Sequence, residues 1–453
     1  MPRLTVLDLR GDDADPTARL PRPRVDLSAA REGVAQTIAA VADRGDASLV
    51  DLTARFDGVD LDAVVVPESI LDQALAGLTS SLRAAIEQAA DQVRWFHERA
   101  RPQDWEAERH GARMGVWHRP VACVGVYVPG GKAVYPSTVV MTVVPAQVAG
   151  VSEIVLCTPP TGGDGWPNRT ILAAARLLGV DRVVRVGGAQ AIAAMALGTA
   201  SVPRCDKVVG PGNLYVSLAK QQLAAQGTVG IDGYAGPTEV AIVADDTADA
   251  RLVAVDLVAQ AEHDELATCL LITTDPALPE RVEAMLAQEV AATRHRDRVE
   301  AALAGQGTAV IVSDIDQAVA VAEAFAPEHL EVQTRNAEAV ARRIRYAGTT
   351  FIGAATPVSL GDYAAGPNHT LPTSRTARFA GGLTTSSFLV AVNWVNYDES
   401  ALARLAPSVL ELSAAEDLPA HGRAVEVRLR PGPPGPPVPP VPPATDAERG
   451  GGS

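Results

Sequence analysis

From about residue 120 onward the chain repeats one alternation, and that alternation limits the fold more than any other feature. VACVGVYV (121–128) is a short apolar run stopped by Pro129-Gly130-Gly131. IVLCT (154–158), DRVVRV (181–186) and DKVV (206–209) are further runs of strand length. Between them ILAAARLLG, AQAIAAMALG and NLYVSLAKQQLAAQG read as helices. Strands that alternate with helices predict parallel βαβ units, because a parallel pair needs a crossover to return the chain. The pattern resumes with EVAIVAD (239–245), a helix over 247–263, TCLLITT (268–274) and a helical stretch over 277–304. AVIVSD (309–314), a helix over 315–325 and GTTFIG (348–353) close the series, with Ser313 and Asp316 placed as a capping box for that helix.

The flanks have a different texture. The first two dozen residues are irregular and interrupted by proline, which suits an arm and not a core element. Residues 27–98 read as helices, with Val34, Ile38, Val41 and Leu49, then Leu82, Ile86 and Val93, at near-helical spacing. The expected organisation is an arm over 1–24 and a discontinuous main α/β domain over 25–127 and 241–383. An inserted α/β domain spans 128–240, a C-terminal segment 384–430 and a tail 431–453. Nine of the thirteen residues at 431–443 are proline, so the tail is expected to be a disordered, polyproline-like segment.

A net charge of −15 argues against nucleic acid as the main partner. Cys123, Cys157, Cys205 and Cys269 are widely spaced and form no CxxC pair, which reads as reduced thiols in a cytosol. No apolar run suits a signal peptide or a membrane span, so the expected setting is the cytoplasm, without a membrane partner.

Four segments hold candidates for chemistry, and from its residues alone each also reads as a solvated helix end or a surface segment. In DLVAQAEHDE (256–265), Gln260 and His263 lie three apart at a helix end, a spacing that fits two ligands of one metal and equally a solvated helix terminus. FAPEHLE (325–331) sets Glu328 beside His329, a carboxylate and an imidazole able to activate water and to act as a base near pH 7. Neighbours in extended chain face opposite ways, so a turn is needed for both to serve one site. SLGDYAAGPNHTLPT (359–373) is a long loop bearing Asp362 and His369, and AAEDLPAH (414–421) bears Glu416 and His421. Two histidines, an aspartate and an amide oxygen suit a borderline metal such as zinc. Gly187-Gly188-Ala189-Gln190 and Gly210-Pro211-Gly212-Asn213 each follow a strand and open a helix, as phosphate-binding turns do and as plain turns also do. The common dinucleotide fingerprint GxGxxG is absent.

Together VGVYVPGG, VGGAQAIAA, GPGN, AGPTEV, AQAEHD, APEHLE, GDYAAGPNHTLPT and the Glu-x4-His at 416–421 resemble histidinol dehydrogenase from about residue 20 to 430. The resemblance implies an α/β fold of two incomplete Rossmann-like domains with parallel-sheet βαβ units. Small N- and C-terminal arm segments complete an intertwined homodimer. It implies two sequential NAD-dependent oxidations of L-histidinol to L-histidine through a bound aldehyde, with one Zn2+ per subunit. Gln260, His263, Asp362 and His421 match the zinc ligands, and Glu328 and His329 the catalytic pair. These six, with Thr238, His369 and Glu416, fall where the family contacts substrate; Thr238 is often serine there. Tyr127, Gln190 and Asn213 match the NAD contacts, and Glu416 and His421 would complete the other subunit's site. Rival readings are a zinc- and NAD-dependent dehydrogenase of another small polyol or amino alcohol, a cysteine-based aldehyde dehydrogenase, and a zinc hydrolase.

Overall fold

The computed structural model describes residues 3–12, 14–23, 27–130, 134–161, 163–233 and 236–429. The chain opens on strand β1 (Thr5–Asp8), then four helices, α1 (Ser28–Arg44), α2 (Asp46–Asp57), α3 (Glu68–Ala76) and α4 (Ser80–Arg99). After β2 (Trp105–Arg109) and β3 (Ala112–Pro120), the alternation begins: β4 (Cys123–Tyr127), α5 (Pro136–Ala149), β5 (Glu153–Cys157), α6 (Arg169–Leu177), β6 (Arg182–Val184), α7 (Gly188–Leu197), β7 (Lys207–Val209), α8 (Leu214–Ala225) and β8 (Gly230–Ile231). A second alternation follows: β9 (Glu239–Ala244), α9 (Ala250–Ala261), β10 (Thr268–Thr273), α10 (Leu278–Ala292), α11 (Arg296–Gln306), β11 (Gly307–Ile311), α12 (Ile315–Phe325), β12 (His329–Gln333), α13 (Ala337–Ala341), β13 (Thr349–Ile352) and α14 (Val358–Tyr363). The chain then forms β14 (Leu389–Tyr397), α15 (Glu399–Ala415) and α16 (Pro419–Leu429).

The two alternations build sheets of one topology. The first is β6-β5-β4-β7-β8 and the second is β1-β11-β10-β9-β12-β13. Every pairing in them is parallel. Counted within each alternation, both run third, second, first, fourth, fifth, the doubly wound order with its sixth strand missing. These are the parallel-strand α/β sheets that the sequence predicts.

Each sheet is buried on both faces, and the alternation of side chains along its strands decides which helices it meets. In the first sheet Cys123, Tyr127, Val155 and Cys157 face α1, α2, α7 and α8. Val124, Val126 and Leu156 face α3, α4, α5 and α6. In the second, Val240, Ile242, Cys269 and Leu271 face α9, α10 and α11, while Ala241, Val243, Leu270 and Ile272 face α12 and α13. Full burial of such a Val or Leu is worth about 1.5–3 kcal/mol, so both cores are made from aliphatic residues with few rings.

Several elements depart from expectation. The arm is not wholly irregular: β1 pairs with β11, and Leu4 and Leu9 are buried on opposite faces of the second sheet. The early helices cover the first sheet and not the second, because their apolar stripes meet β4, β5 and β6, and the Val66 amide bonds to the Val183 carbonyl at 2.8 Å. The first module accordingly starts at β4, before residue 128, and β9 begins at Glu239, ahead of the expected boundary at 241. The stretch 277–304 is two helices, broken near His295. The cap of α12 is Asp314, whose carboxylate accepts from the Gln317 amide at 2.9 Å, while Ser313 Oγ accepts from the Gly11 amide at 3.1 Å.

Among the described residues a second compact unit consists of Gln103–His118 and residues 391–429, so a hairpin from early in the chain joins the C-terminal segment. Within it β2 and β3 form an antiparallel ladder, Trp117 stacks on Trp394 with ring centroids 5.2 Å apart, and α15 packs on α16. The expected proline-rich tail lies outside the described residues. No helix among the described residues is long and apolar enough to cross a membrane.

Candidate active site

Open parallel sheets bind ligands where the strand order reverses, at the carboxyl ends of the first and fourth strands. In the first sheet that point lies between β4 and β7, and Pro129, Gly130 and Gly210 to Asn213 line a cavity there of about 620 Å3. Gly210 is required by space: its φ is +112°, and a Cβ would stand 2.2 Å from the Tyr127 carbonyl oxygen. A buried ion pair holds this turn. Lys220 Nζ contacts Asp232, donates to the Gly210 carbonyl at 2.9 Å, and Asp232 accepts from the Gly210 amide at 2.7 Å. The corresponding point in the second sheet is filled, since Asp245 beyond β9 accepts from the Arg335 amide beyond β12 at 2.8 Å.

The second sheet meets the same cavity with its other end. Thr238, just before β9, and Glu328 and His329, at the start of β12, line it. Ala326 caps α12 in a left-handed conformation with φ 48°, supplying the turn that lets neighbours serve one site. A single residue, Glu239, then fixes both. Its amide donates to Glu328 Oε2 at 2.9 Å and its carbonyl accepts from His329 Nδ1 at 3.1 Å. The Nδ1 proton is thereby engaged, so His329 Nε2 is the basic nitrogen, 4.0 Å from Asp362 Oδ1.

Burial sets the protonation behaviour of the pair. It pushes the Glu328 carboxyl up to about 7, against the hydrogen bonds from Thr238 and Glu239. It pulls His329 below the usual imidazole range, against the opposing field of Asp362. The result is a carboxyl poised near neutral pH beside an imidazole that burial holds in its neutral form.

A relay of polar groups connects the pair to Gln260. The Thr238 hydroxyl donates to Glu328 Oε2 at 2.5 Å, so it can only accept from Gln260 Nε2, also at 2.5 Å. That fixes the Gln260 amide and leaves its Oε1 buried with no hydrogen-bond partner. His263 Nδ1 donates to the Ala259 carbonyl at 3.1 Å, which presents Nε2 at 3.9 Å from Asp362 Oδ2. A buried unpartnered amide oxygen, an oriented imidazole nitrogen and a carboxylate are a donor set that zinc accepts. Among the described residues no group of three or more His, Cys, Asp or Glu is gathered as a metal centre. His369 completes the wall: its Nδ1 donates to the Asp362 carbonyl at 2.9 Å and its Nε2 lies 3.2 Å from Thr138 Oγ1.

The cavity thus brings together Thr238, His263, Glu328, His329, Asp362, His369 and Asn213, with Gln260 behind Thr238. Asn213 caps α8, its Oδ1 accepting from the Tyr215 and Val216 amides at 3.0 and 3.1 Å. Tyr127 and Gln190 do not line the cavity. Tyr127 is buried, its hydroxyl accepting from the Gly188 amide at 3.1 Å, and Gln190 is buried in the first turn of α7. Glu416 and His421 are exposed in the second unit, at the end of α15 and in α16.

Four residues of this region have no signature in the sequence. Lys220 and Asp232 sit in unremarkable surroundings, and only a lysine inside an apolar helix run hints at burial. Glu239 was readable only as part of a strand; its side chain is paired with Arg22 at 2.6 Å, and Arg22 lies over the Phe325 ring. Burial lifts the Glu239 carboxyl to about 7, with Arg22 opposing.

Two doubly wound sheets that face one cavity, with glycine turns on one wall and an acid–imidazole pair on the other, define a nucleotide-dependent α/β enzyme. The histidinol dehydrogenase family model matches residues 20–429. A histidinol dehydrogenase of Thermobifida fusca is 50% identical over 429 residues, covering 94% of this chain and 98% of that one. One of Mycobacterium tuberculosis (strain H37Rv) is 49% identical over 438 residues, with the same coverage of 94% and 98%. The crystal structure of the Elizabethkingia anophelis histidinol dehydrogenase superposes with a TM-score of 0.90 at 33% identity, covering 95% of this chain and 98% of that one. The chain belongs to the histidinol dehydrogenase family, a family of NAD-dependent oxidoreductases.

Proposed function

We propose that this chain oxidises L-histidinol to L-histidine in two NAD-dependent steps, keeping the intermediate aldehyde bound. One observation carries the reading: the backbone N–H and C=O of one residue, Glu239, aim Glu328 and His329 into a cavity whose facing wall is the glycine turn at the switch point of the first sheet.

Alcohol to acid removes four electrons, so it needs two hydride acceptances and one water. NAD, when bound, accepts a hydride in each step; Gly210, Gly212 and Asn213 are the groups offered to it, while Tyr127 and Gln190 stand at the neighbouring Gly187-Gly188 turn, where the Tyr127 hydroxyl accepts from the Gly188 amide. His329 takes the hydroxyl proton of the alcohol on Nε2. Glu328 draws a proton from water so that the oxygen adds to the aldehyde carbon. His329 serves again as the resulting gem-diol is oxidised. Each such transfer is typically worth about 10²–10⁴ in rate.

Zinc, one ion per subunit, when bound, anchors the imidazole and amine of the substrate. Gln260, His263 and Asp362 would hold it, with His421 from a second copy of the chain, and Thr238, His369 and Glu416 would complete the substrate's contacts. The orphaned Gln260 oxygen supports that assignment. The proposed assembly is therefore a homodimer with shared sites, working in the cytoplasm. The proposed domains follow the two sheets, with the second unit completing the neighbour's site.

Turnover of L-histidinol against other small amino alcohols and polyols, followed by NADH absorbance, tests the substrate. Preference for another alcohol would overturn it. Mixing Glu328→Gln chains, which are blocked at the second oxidation, with inactive His421→Asn chains tests sharing: intact sites and partial histidine formation are expected, and no recovery after demonstrated subunit exchange would refute it.

A further inference from the structure

Two of the four cysteines stand together, away from the active-site cavity. Cys123 opens β4 and Cys205 lies two residues ahead of β7, on the neighbouring parallel strand. Their Sγ atoms share a hydrogen bond at 3.4 Å. The backbone pins them there. The Asp206 amide donates to the Cys123 carbonyl at 2.9 Å, Asp206 Oδ2 accepts from the Cys123 amide at 3.2 Å, and the Cys205 amide donates to the Met195 carbonyl at 2.7 Å. Both sulfurs are in the core, and Cys205 borders a hollow of about 450 Å3 with Arg204, Asp206 and the turn 227–230. Cys157 and Cys269 lack such a pairing. They are fully buried, neither has a sulfur neighbour among the hydrogen bonds of the described residues, and burial pushes the Cys269 thiol up to about 12.

We propose that Cys123 and Cys205 form a reversible dithiol–disulfide site, oxidised by a hydroperoxide. Cys123 sulfur attacks the peroxide; the O–O bond breaks, Cys123 becomes a sulfenic acid and the alcohol or water leaves. Cys205 sulfur then attacks Cys123 sulfur; the S–O bond breaks, water leaves with the Cys205 proton, and the S–S bond forms. Two thiols lose two protons and two electrons, and the peroxide is reduced. Closure brings the sulfurs from 3.4 Å to about 2.05 Å, a side-chain rotation and not a strand movement.

The bond would tie the amino ends of β4 and β7, the two strands whose carboxyl ends bracket the glycine-turn wall of the active site. It staples the frame of that wall without touching its lining. It also removes freedom from the unfolded chain, so oxidation raises the melting temperature.

The test uses the full chain exposed to hydrogen peroxide, then alkylated under denaturing conditions without reductant and mapped by mass spectrometry. The expected result is a Cys123–Cys205 cross-linked peptide, alkylation of Cys157 and Cys269 alone, a melting temperature several degrees higher, and full reversal by a dithiol reductant. In Cys205→Ser the expected product is a Cys123 sulfenic acid trapped by a dione probe, with no rise in melting temperature. Four alkylated cysteines after a dose that fully oxidises a free dithiol control would overturn the proposal. So would cross-links that involve Cys157 or Cys269. Both readings come from the unaltered protein, so they hold whether or not the serine variant folds.

Discussion

Glu328 Oε2 and His329 Nδ1 stand 3.6 Å apart, and they are held there less by each other than by the backbone N–H and C=O of Glu239 on the adjoining strand. The amide fixes the carboxylate and the carbonyl fixes the imidazole tautomer. The two groups proposed for catalysis therefore ride on one element, which parallel pairing of β12 with β9 keeps in register: His329 lies opposite Val240.

Glu328→Gln separates the two half-reactions. Only aldehyde oxidation consumes water, so its rate should fall by about 10²–10⁴ while alcohol oxidation falls far less. Single-turnover NADH formation from L-histidinol and from L-histidinal measures each step. Equal losses in both would assign Glu328 another role.

The acid limb of aldehyde oxidation should follow Glu328. Burial raises that carboxyl to about 7, and it must be ionised to take a proton from water, so the rate falls as pH drops through this value. Thr238→Ala removes a donor that favours the charged form. A hydrogen bond to a charged group is worth about 1.5–3 kcal/mol, so the limb should move to higher pH by about one to two units. A pH–rate profile of the two proteins gives the shift; a limb that stays in place would show that another group titrates there.

Zinc removal should abolish turnover, and added zinc should restore it. Gln260→Leu takes away the buried amide oxygen that has no other partner. Its zinc affinity, read by competition with a chromogenic chelator, should drop at least about 10–100-fold, the loss common even for an outer-shell partner. Unchanged affinity would remove Gln260 from the metal site.

Lys220→Met leaves Asp232 buried without its cation. Breaking such a pair costs about 3–5 kcal/mol, and the Gly210 turn loses the Nζ contact to its carbonyl. The expected outcome is a lower melting temperature and a KM for NAD+ raised about tenfold, with KM for histidinol little changed. A rise confined to histidinol would contradict the placement of that turn.

Much of this was legible in the residues, for identifiable reasons. Parallel strands buried on both faces are short apolar runs, and runs such as EVAIVAD and TCLLITT stand out against polar helix faces. The strand β12 did not, because HLEVQ opens on a histidine and carries a buried Glu331; the pocket chemistry disguises the sheet. Local sequence also cannot say which sheet a helix covers. The stripes of α1 and α4 mark a buried face but not its partner, and the early helices went to the first sheet. The motifs of the site were visible as motifs; their convergence was not. Gln260 and Glu328 meet through Thr238, and the Thr238–Glu328 pair alone spans 90 positions of chain. Arg22 with Glu239, and Lys220 with Asp232, are pairs made by tertiary structure, invisible as spacing.

The central claim is that one cavity performs both oxidations on one bound substrate. The most direct test counts products in a single reaction with limiting L-histidinol, excess NAD+ and stoichiometric zinc. The account predicts two NADH and one histidine for each histidinol consumed, with no aldehyde captured by a carbonyl trap in solution. One NADH per histidinol, with the aldehyde recovered in the trap, would contradict it.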